Sequence, residues 1–340
     1  MPEGDYMINI AVVGAGDWGK NHVRTFFNLT ESYLSYICDC SEGIRSEMEK
    51  TYPKVRVTGN YDEILNDSAV DAVVIATSSI SHFALVKSAL EAGKHVFVEK
   101  PLTLKVEDAE ELVRLANERN RRLMVGHLLL YHPAVTKLKE FINKGEVGDI
   151  YYVYCQRLNL GKIRKDENVL WSFAPHDISV ALYLIGDTPI EVSATGENYL
   201  QNGIDDVVFL NIRFKNRKMT NIHLSWLDPH KIRKITVVGS RKMVVFDDMD
   251  VTEKLKIFDK GVNINTEYKN YEDFLTLRFG DILIPRINLS EPLKLECNQF
   301  LKCIEDGKEP ISNGASGLQV VKILEAAQKS LEKGGMPIKV

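Results

Sequence analysis

The sequence predicts an α/β protein in two parts: an N-terminal doubly wound parallel sheet and a C-terminal α+β domain with an open, largely antiparallel sheet. Three observations lead there. From residue 7 to about 127, short apolar runs alternate with amphipathic helical patterns, as β-α units on a parallel sheet do. A glycine-rich turn, Gly14-x-Gly16-x-x-Gly19, breaks the first apolar run where a helical pattern begins. Beyond residue 127 the rhythm changes to strand-like segments joined by turns such as Lys215-Asn216 and Gly239-Ser240, which suits antiparallel pairing.

In the first part, strands are expected at 8–13, 33–38, 55–57, 72–75, 95–98 and 123–125. Helices fall between them at 18–28, 41–52, 61–66, 81–92 and 105–119. The last of these has Thr103 and Glu107 at its start, as a capped helix would, with Leu112, Val113 and Leu115 on its apolar side. In the second part a helix at 132–143 precedes a strand at 151–157 and a helix opening at Pro175, 175–185. Strands follow at 191–198, 206–214, 219–226, 233–239 and 241–247, and two helices, 292–305 and 316–333, end the pattern. Aromatic and aliphatic residues on these strands, Tyr152, Tyr154, Phe209, Leu224 and Trp226, fit either an apolar sheet face that joins subunits into a homodimer or homotetramer, which is the expectation for the chain, or equally the core.

At 340 residues the chain exceeds most single domains, so two are expected, 1–127 and 128–340, with C-terminal helices that can pack back on the first. A net charge of −4 leaves no electrostatic footprint for nucleic acid, and the basic clusters at 119–122, 215–218 and 231–234 read as solvated faces. No apolar run is long enough for a bilayer and no export pattern opens the chain, so no membrane partner and a cytoplasmic location are expected. Five scattered cysteines without a C-x-x-C pair argue against a disulfide framework or a metal cluster.

The glycine turn carries the first functional signal. In a strand-turn-helix the first glycine makes the tight turn, the second lets a pyrophosphate approach the backbone, and the third packs the helix on the strand. Asp39 stands 23 residues after Gly16, at the end of the second apolar run, where a carboxylate accepts from an adenosine ribose. That carboxylate repels a 2′-phosphate, and Cys38, Cys40 and Ser41 bring no cation, although Arg45 lies one helical turn away; NAD is favoured over NADP.

Two further segments bear on chemistry. Glu99-Lys100-Pro101 follows the fifth strand, at the carboxyl edge where open α/β sheets bind ligands, and Pro101 restrains the peptide that carries Lys100. His176 lies near the start of an apolar helix, and a neutral imidazole suits proton acceptance near neutral pH.

Together these features resemble the Gfo/Idh/MocA oxidoreductases over essentially the whole chain. The matching residues are Gly14, Gly16, Gly19 and Asp39, Ala76-Thr77 through His82, Glu99-Lys100-Pro101, Gly126-His127, His176-Asp177 and the final helix entered at Gly317-Leu318. The resemblance implies a Rossmann domain, a nicotinamide cofactor and redox chemistry at a sugar or cyclitol carbon. It implies catalytic roles for Lys100 and His176, and cofactor contacts at Gly14, Gly16, Asp17, Trp18, Gly19, Asp39, Thr77, His82, Glu99 and Lys100. Many relatives carry an aspartate four residues before the histidine; here the position is Ser172, which can hydrogen-bond but cannot act as a charged orienter.

The stretch from Arg157 to Ser179 is similar to nucleotide-sugar dehydrogenases that oxidise the C3 hydroxyl of UDP-N-acetylglucosamine. Substrate contacts are then expected at Lys100, His127, Arg157, Asn159, Arg164, Ser172 and His176, with Lys162 as a further donor. Alternatives are a UDP-N-acetylglucosaminuronate 3-dehydrogenase, an inositol or free-sugar dehydrogenase, a ketosugar reductase and, in other classes, a non-catalytic NAD-sensing module or a structural subunit.

Overall fold

The computed structural model describes residues 7–161, 163–165, 167–264 and 275–340; Lys162 lies outside them. The chain forms two compact units, 1–131 with 290–322 and 132–289 with 323–340. The second excursion of the chain into the first unit is what a contiguous division at residue 127 does not describe.

The first unit is built on six parallel strands, β1 (Ile8–Val13), β2 (Ser32–Cys38), β3 (Arg56–Thr58), β4 (Ala72–Ile75), β5 (His95–Glu99) and β6 (Leu123–Gly126). Their order is β3-β2-β1-β4-β5-β6, so the winding reverses between β1 and β4, the switch point of a doubly wound sheet. The helices are α1 (Gly19–Asn28), α2 (Glu42–Thr51), α3 (Tyr61–Asn66), α4 (His82–Glu91) and α5 (Val106–Glu118). Strands covered on both faces bury every side chain, which is why Val12, Val73, Val74, Val96 and Val98 run without polar alternation and are fully buried. Each such burial is worth about 1.5–3 kcal/mol against exposure. The expected cap of α5 is not formed: Lys105 is its N-cap residue, and the Thr103 hydroxyl donates to the Lys105 carbonyl (2.7 Å). Glu107 and Asp108 in the first turn instead complement the helix dipole.

In the second unit, α6 (Pro133–Asn143), β7 (Ile150–Leu158) and α7 (Val169–Ile185) precede β8 (Pro189–Glu197), β9 (Val207–Phe214), β10 (Met219–Ser225), β11 (Ile232–Gly239), β12 (Met243–Asp247), β13 (Leu255–Ile264) and β14 (Leu275–Leu283). After α8 (Pro292–Glu305), a first-unit helix, α9 (Gly314–Glu332) contributes its residues 323–332 here, and β15 (Ile338–Lys339) closes the sheet edge. The nine-stranded order is β14-β13-β12-β11-β7-β10-β9-β8-β15; the pairs are antiparallel except β7 with β10.

One expectation about this unit is corrected and another is resolved. Helix α7 begins six residues before Pro175, because the Asn168 side chain accepts the Trp171 N–H (3.2 Å) and caps it; Pro175 lies inside the helix. Of the two readings of the sheet residues, Leu224 and Trp226 follow the core one. Tyr152 and Phe209 do lie exposed, with Tyr152 stacked on Tyr154 and Phe209 on His223 (ring centroids 6.2 and 4.3 Å apart). Among the described residues no helix is long and apolar enough to cross a membrane, and no group of side chains could hold a metal ion.

Candidate active site

The glycine turn after β1 divides its labour as steric demand dictates. Gly14 has φ +88°, and a Cβ there would lie 2.7 Å from the Ala76 carbonyl oxygen, so a side chain is excluded by both conformation and space. At Gly19 a Cβ would come within 1.9 Å of the Gly14 carbonyl oxygen: the helix packs directly on the turn. Gly16 differs, since a Cβ there would meet nothing within 4 Å. Its lack of a side chain serves no protein contact and leaves the backbone open.

Helix α1 has no acid in its first turn to neutralise the positive end of its dipole. The Asp39 carboxylate is fixed beside this turn by the backbone N–H groups of Ala15 (2.8 Å, Oδ2) and Ser41 (2.9 Å, Oδ1). Arg45 donates to the carbonyls of Asp39 (2.9 Å) and Cys40 (2.8 Å), which commits one of its terminal nitrogens to the backbone. An open glycine backbone, an uncompensated helix N-terminus and an oriented carboxylate together fit a dinucleotide's pyrophosphate and ribose. NAD bound there would be held by Gly14, Gly16, Gly19 and Asp39.

At the end of β5, Glu99 gathers four donors and neighbours. The Trp18 indole N–H donates to its Oε1 (2.6 Å), His22 Nε2 bonds the same oxygen (2.7 Å), and the Lys100 N–H donates to Oε2 (3.2 Å). Burial pushes the Glu99 carboxyl up, but hydrogen bonding and charge at His22, the indole and Lys100 outweigh it, and the group is held below the usual carboxylate range. Its carboxyl packs on Gly126, where a Cβ would lie 2.9 Å from Oε1.

His82, expected at the cofactor, instead ties the loops together: Nδ1 meets the Pro101 carbonyl (2.8 Å) and Nε2 the Thr77 carbonyl (3.2 Å), and the ring is buried. It braces the cis Lys100–Pro101 segment against the end of β4 and keeps neither nitrogen for a ligand. Thr77 bonds Ser81 through its hydroxyl (2.8 Å); Asp17 and Trp18 lie in the exposed part of the glycine turn.

Two buried groups near Glu99 lack hydrogen-bond partners among the described residues. His127 is 1% exposed with both ring nitrogens unpaired, and burial pushes its pKa down to about 4, Glu99 opposing and Lys100 assisting. Glu296, on α8 and also 1% exposed, has both oxygens unpaired; burial drives its carboxyl well above the usual value and the Glu99 charge adds to the rise. Glu296, and with it His22, escaped the sequence reading. The signal was present: each stands in the buried stripe of an amphipathic helix, Leu293, Cys297, Phe300 and Leu301 around one, Val23 and Phe26 beside the other.

In the second unit, His176 and Ser172 lie one turn apart on α7. Arg157 is buried on β7 rather than set on an exposed loop. It is the third residue of the inward row Val153, Cys155, Arg157 on β7, and its guanidinium forms a bidentate ion pair with Asp177 (Nε–Oδ2 2.5 Å, Nη2–Oδ1 3.2 Å). Arg164 pairs with Glu167 (3.0 Å), and its carbonyl accepts from Gln201 (2.8 Å). The backbone of Asn159 donates to the Ser225 carbonyl (3.0 Å), while its side chain crowds Gly161.

Comparison with known proteins bears on the family and the fold. The model of an oxidoreductase family with an NAD-binding Rossmann fold matches residues 8–127, and that of the GFO/IDH/MocA C-terminal domain matches residues 135–245. The UDP-N-acetylglucosamine 3-dehydrogenase of Acidithiobacillus ferrooxidans is 31% identical over 91% of this chain and 93% of its own length. The myo-inositol 2-dehydrogenase of Thermotoga maritima is 25% identical over 96% and 97%. Among solved structures, the Acidithiobacillus enzyme superposes with a TM-score of 0.81 over 96% of this chain and 98% of its own, at 24% identity. GenD2 of gentamicin A biosynthesis, in complex with NAD, gives 0.82 over 98% and 96% at 22% identity. With both family models matched over more than half its length, the chain belongs to the Gfo/Idh/MocA family of oxidoreductases, and its cofactor is NAD.

Proposed function

We propose that this protein is an NAD-dependent dehydrogenase of a sugar ring hydroxyl, with C3 of UDP-N-acetylglucosamine as the preferred substrate position. The observation that carries the substrate is the 31% identity to a UDP-N-acetylglucosamine 3-dehydrogenase across nine-tenths of both chains. NAD, when bound, supplies the hydride acceptor. His176 takes the proton of the hydroxyl as the ring carbon becomes a carbonyl. Lys100 holds the oxygen and stabilises the negative charge that develops on it, an effect strengthened where water is excluded. Ser172 offers a hydrogen bond one helical turn from His176, and so the orienting carboxylate of many relatives has no counterpart at that position.

NADH absorbance tests the substrate, measured with UDP-N-acetylglucosamine, its uronate, free hexoses and inositols, with an aminotransferase added to remove the keto product. Turnover on UDP-N-acetylglucosamine at least about tenfold above the others in kcat/KM is the expected outcome. A preference for inositol would assign the chain to the polyol dehydrogenases, and turnover on none would leave only NAD binding.

We also infer that the exposed sheet face of the second unit, with Tyr152, Phe209 and His223, joins two copies of the chain, since a row of stacked aromatic rings on an open sheet is covered by a like surface. Light scattering on a Phe209→Lys variant tests this; a wild-type monomer would overturn it.

A further inference from the structure

The most heavily engaged charged groups near His176 are Asp177, the next residue on α7, and Arg157, which meets it from β7. Both are buried, Asp177 at 1% and Arg157 at 8% exposure, in a row otherwise filled by Val153 and Cys155. A buried ion pair is weak as a source of stability, because desolvation of two charges cancels most of its attraction and an apolar pair of equal volume often serves as well. Direction is what it adds. A guanidinium donating two parallel N–H bonds to one carboxylate tolerates little rotation or slide between the elements that carry the partners.

The helix needs an external tether at this point. Pro175 has no N–H, so the rung that would close on the Trp171 carbonyl is missing immediately before His176. The turns on either side are held from outside the helix. On one side, Trp171 Nε1 and Asn168 Nδ2 both donate to the Gln328 side chain (3.2 and 3.1 Å). On the other side stands the Arg157–Asp177 pair, with the Ser179 hydroxyl donating to the His176 carbonyl (2.9 Å). Successive helical residues project about 100° apart, so fixing Asp177 toward β7 also fixes the direction in which the His176 side chain leaves the helix.

We propose that Arg157 and Asp177 are positioning residues whose buried bidentate pair sets the rotation of α7 on β7 and thereby aims His176 at the substrate hydroxyl. The inference rests on the reading of His176 as the proton acceptor. It assigns Arg157 away from direct substrate contact, and it gives Asp177 a purpose other than orienting the imidazole by a hydrogen bond.

Steady-state kinetics on the holoenzyme tests it with Asp177→Asn, Arg157→Lys and the apolar double variant Arg157→Met/Asp177→Leu, alongside His176→Ala. Expected are kcat losses of about 10- to 100-fold in all three pair variants, since displacement of a catalytic group by about 1 Å can cost 10²-fold. The Kd for NAD stays within about twofold, because the glycine turn is untouched. In the double variant the thermal midpoint returns to near the wild-type value while kcat does not, which separates aiming from packing. Recovery of both in the double variant would reduce the pair to packing and overturn the proposal, as would wild-type kcat in Arg157→Lys, which keeps the charge and loses the fork. If His176→Ala retains wild-type kcat, the reading of His176 itself falls. If His176→Ala is inactive while the pair variants are fully active, only the positioning role falls.

Discussion

Around Glu99 in the first unit, buried polar atoms stand open; in the second, a buried guanidinium and a buried carboxylate bind each other. Glu99 receives Trp18, His22 and the Lys100 N–H, yet His127 and Glu296 beside it keep four buried polar atoms without partners among the described residues. Arg157 and Asp177 meet in two hydrogen bonds within a row of apolar neighbours. A satisfied buried pair marks scaffold, whereas orphaned buried atoms mark a place where a ligand, a water or a proton is received. The contrast is between a region with polar capacity left for a ligand and a pair that holds one helix on its strand.

The strongest test removes the two groups assigned to the reacting alcohol. Lys100→Met and His176→Ala should each lower kcat by about 10²–10⁴-fold, with NAD binding still measurable by fluorescence. Wild-type turnover in either would dissolve the contrast, because the open region would then have no chemistry to serve.

Next in size is a comparison inside the glycine turn. Gly19→Ala would force a Cβ to 1.9 Å from the Gly14 carbonyl oxygen, and should destabilise the first unit by about 3 kcal/mol, visible as a lowered thermal midpoint. Gly16→Ala meets no protein atom within 4 Å, so its thermal midpoint should match wild type while the Kd for NAD rises about tenfold. Equal behaviour of the two variants would mean that Gly16 is structural and that the cofactor's phosphates lie elsewhere.

How much of this was legible in the sequence follows the range of the forces involved. The parallel sheet was, because strands buried on both faces are apolar throughout and β1, α3 and β4 are bounded by turn residues that end them locally. The start of α7 was not: Pro175 reads as a first-turn proline, and the cap that starts the helix, Asn168, lies seven residues upstream. Strands β13 and β14 lack a clear alternation. Gly261 and Gly280 interrupt them, and the register shifts between Phe258 and Lys260. Arg157 read as a substrate contact since nothing nearby in sequence announces a partner 20 residues away on another element. The glycine turn and Asp39 beside it were legible because steric and dipolar demands act within a few residues; the environment of Glu99, assembled from α1, β6 and α8, was not.

Stability against pH sharpens the contrast further. His127 titrates at about 4 in the folded protein against about 6.5 when unfolded, so between those values the unfolded chain binds more protons. Stability is therefore highest above pH 6.5 and falls as the pH drops toward 4, by about 3 kcal/mol for this group alone. Denaturant titrations of wild type and His127→Gln between pH 4 and 7 should show the slope reduced in the variant, and parallel curves would mean that water or another partner already satisfies the imidazole.

Glu296 gives the opposite sign. Its folded carboxyl keeps a proton well above pH 4.5, where the unfolded one loses it, so the folded state is penalised progressively as the pH rises beyond that value. Glu296→Gln keeps the shape and the hydrogen-bonding capacity of the neutral acid but removes the titration. Its thermal midpoint should equal that of wild type near pH 4.5 and exceed it by a margin that grows toward pH 8. A constant offset across that range would show that Glu296 is ionised in the folded protein. The carboxylate at Glu99 would then have a second negative charge beside it.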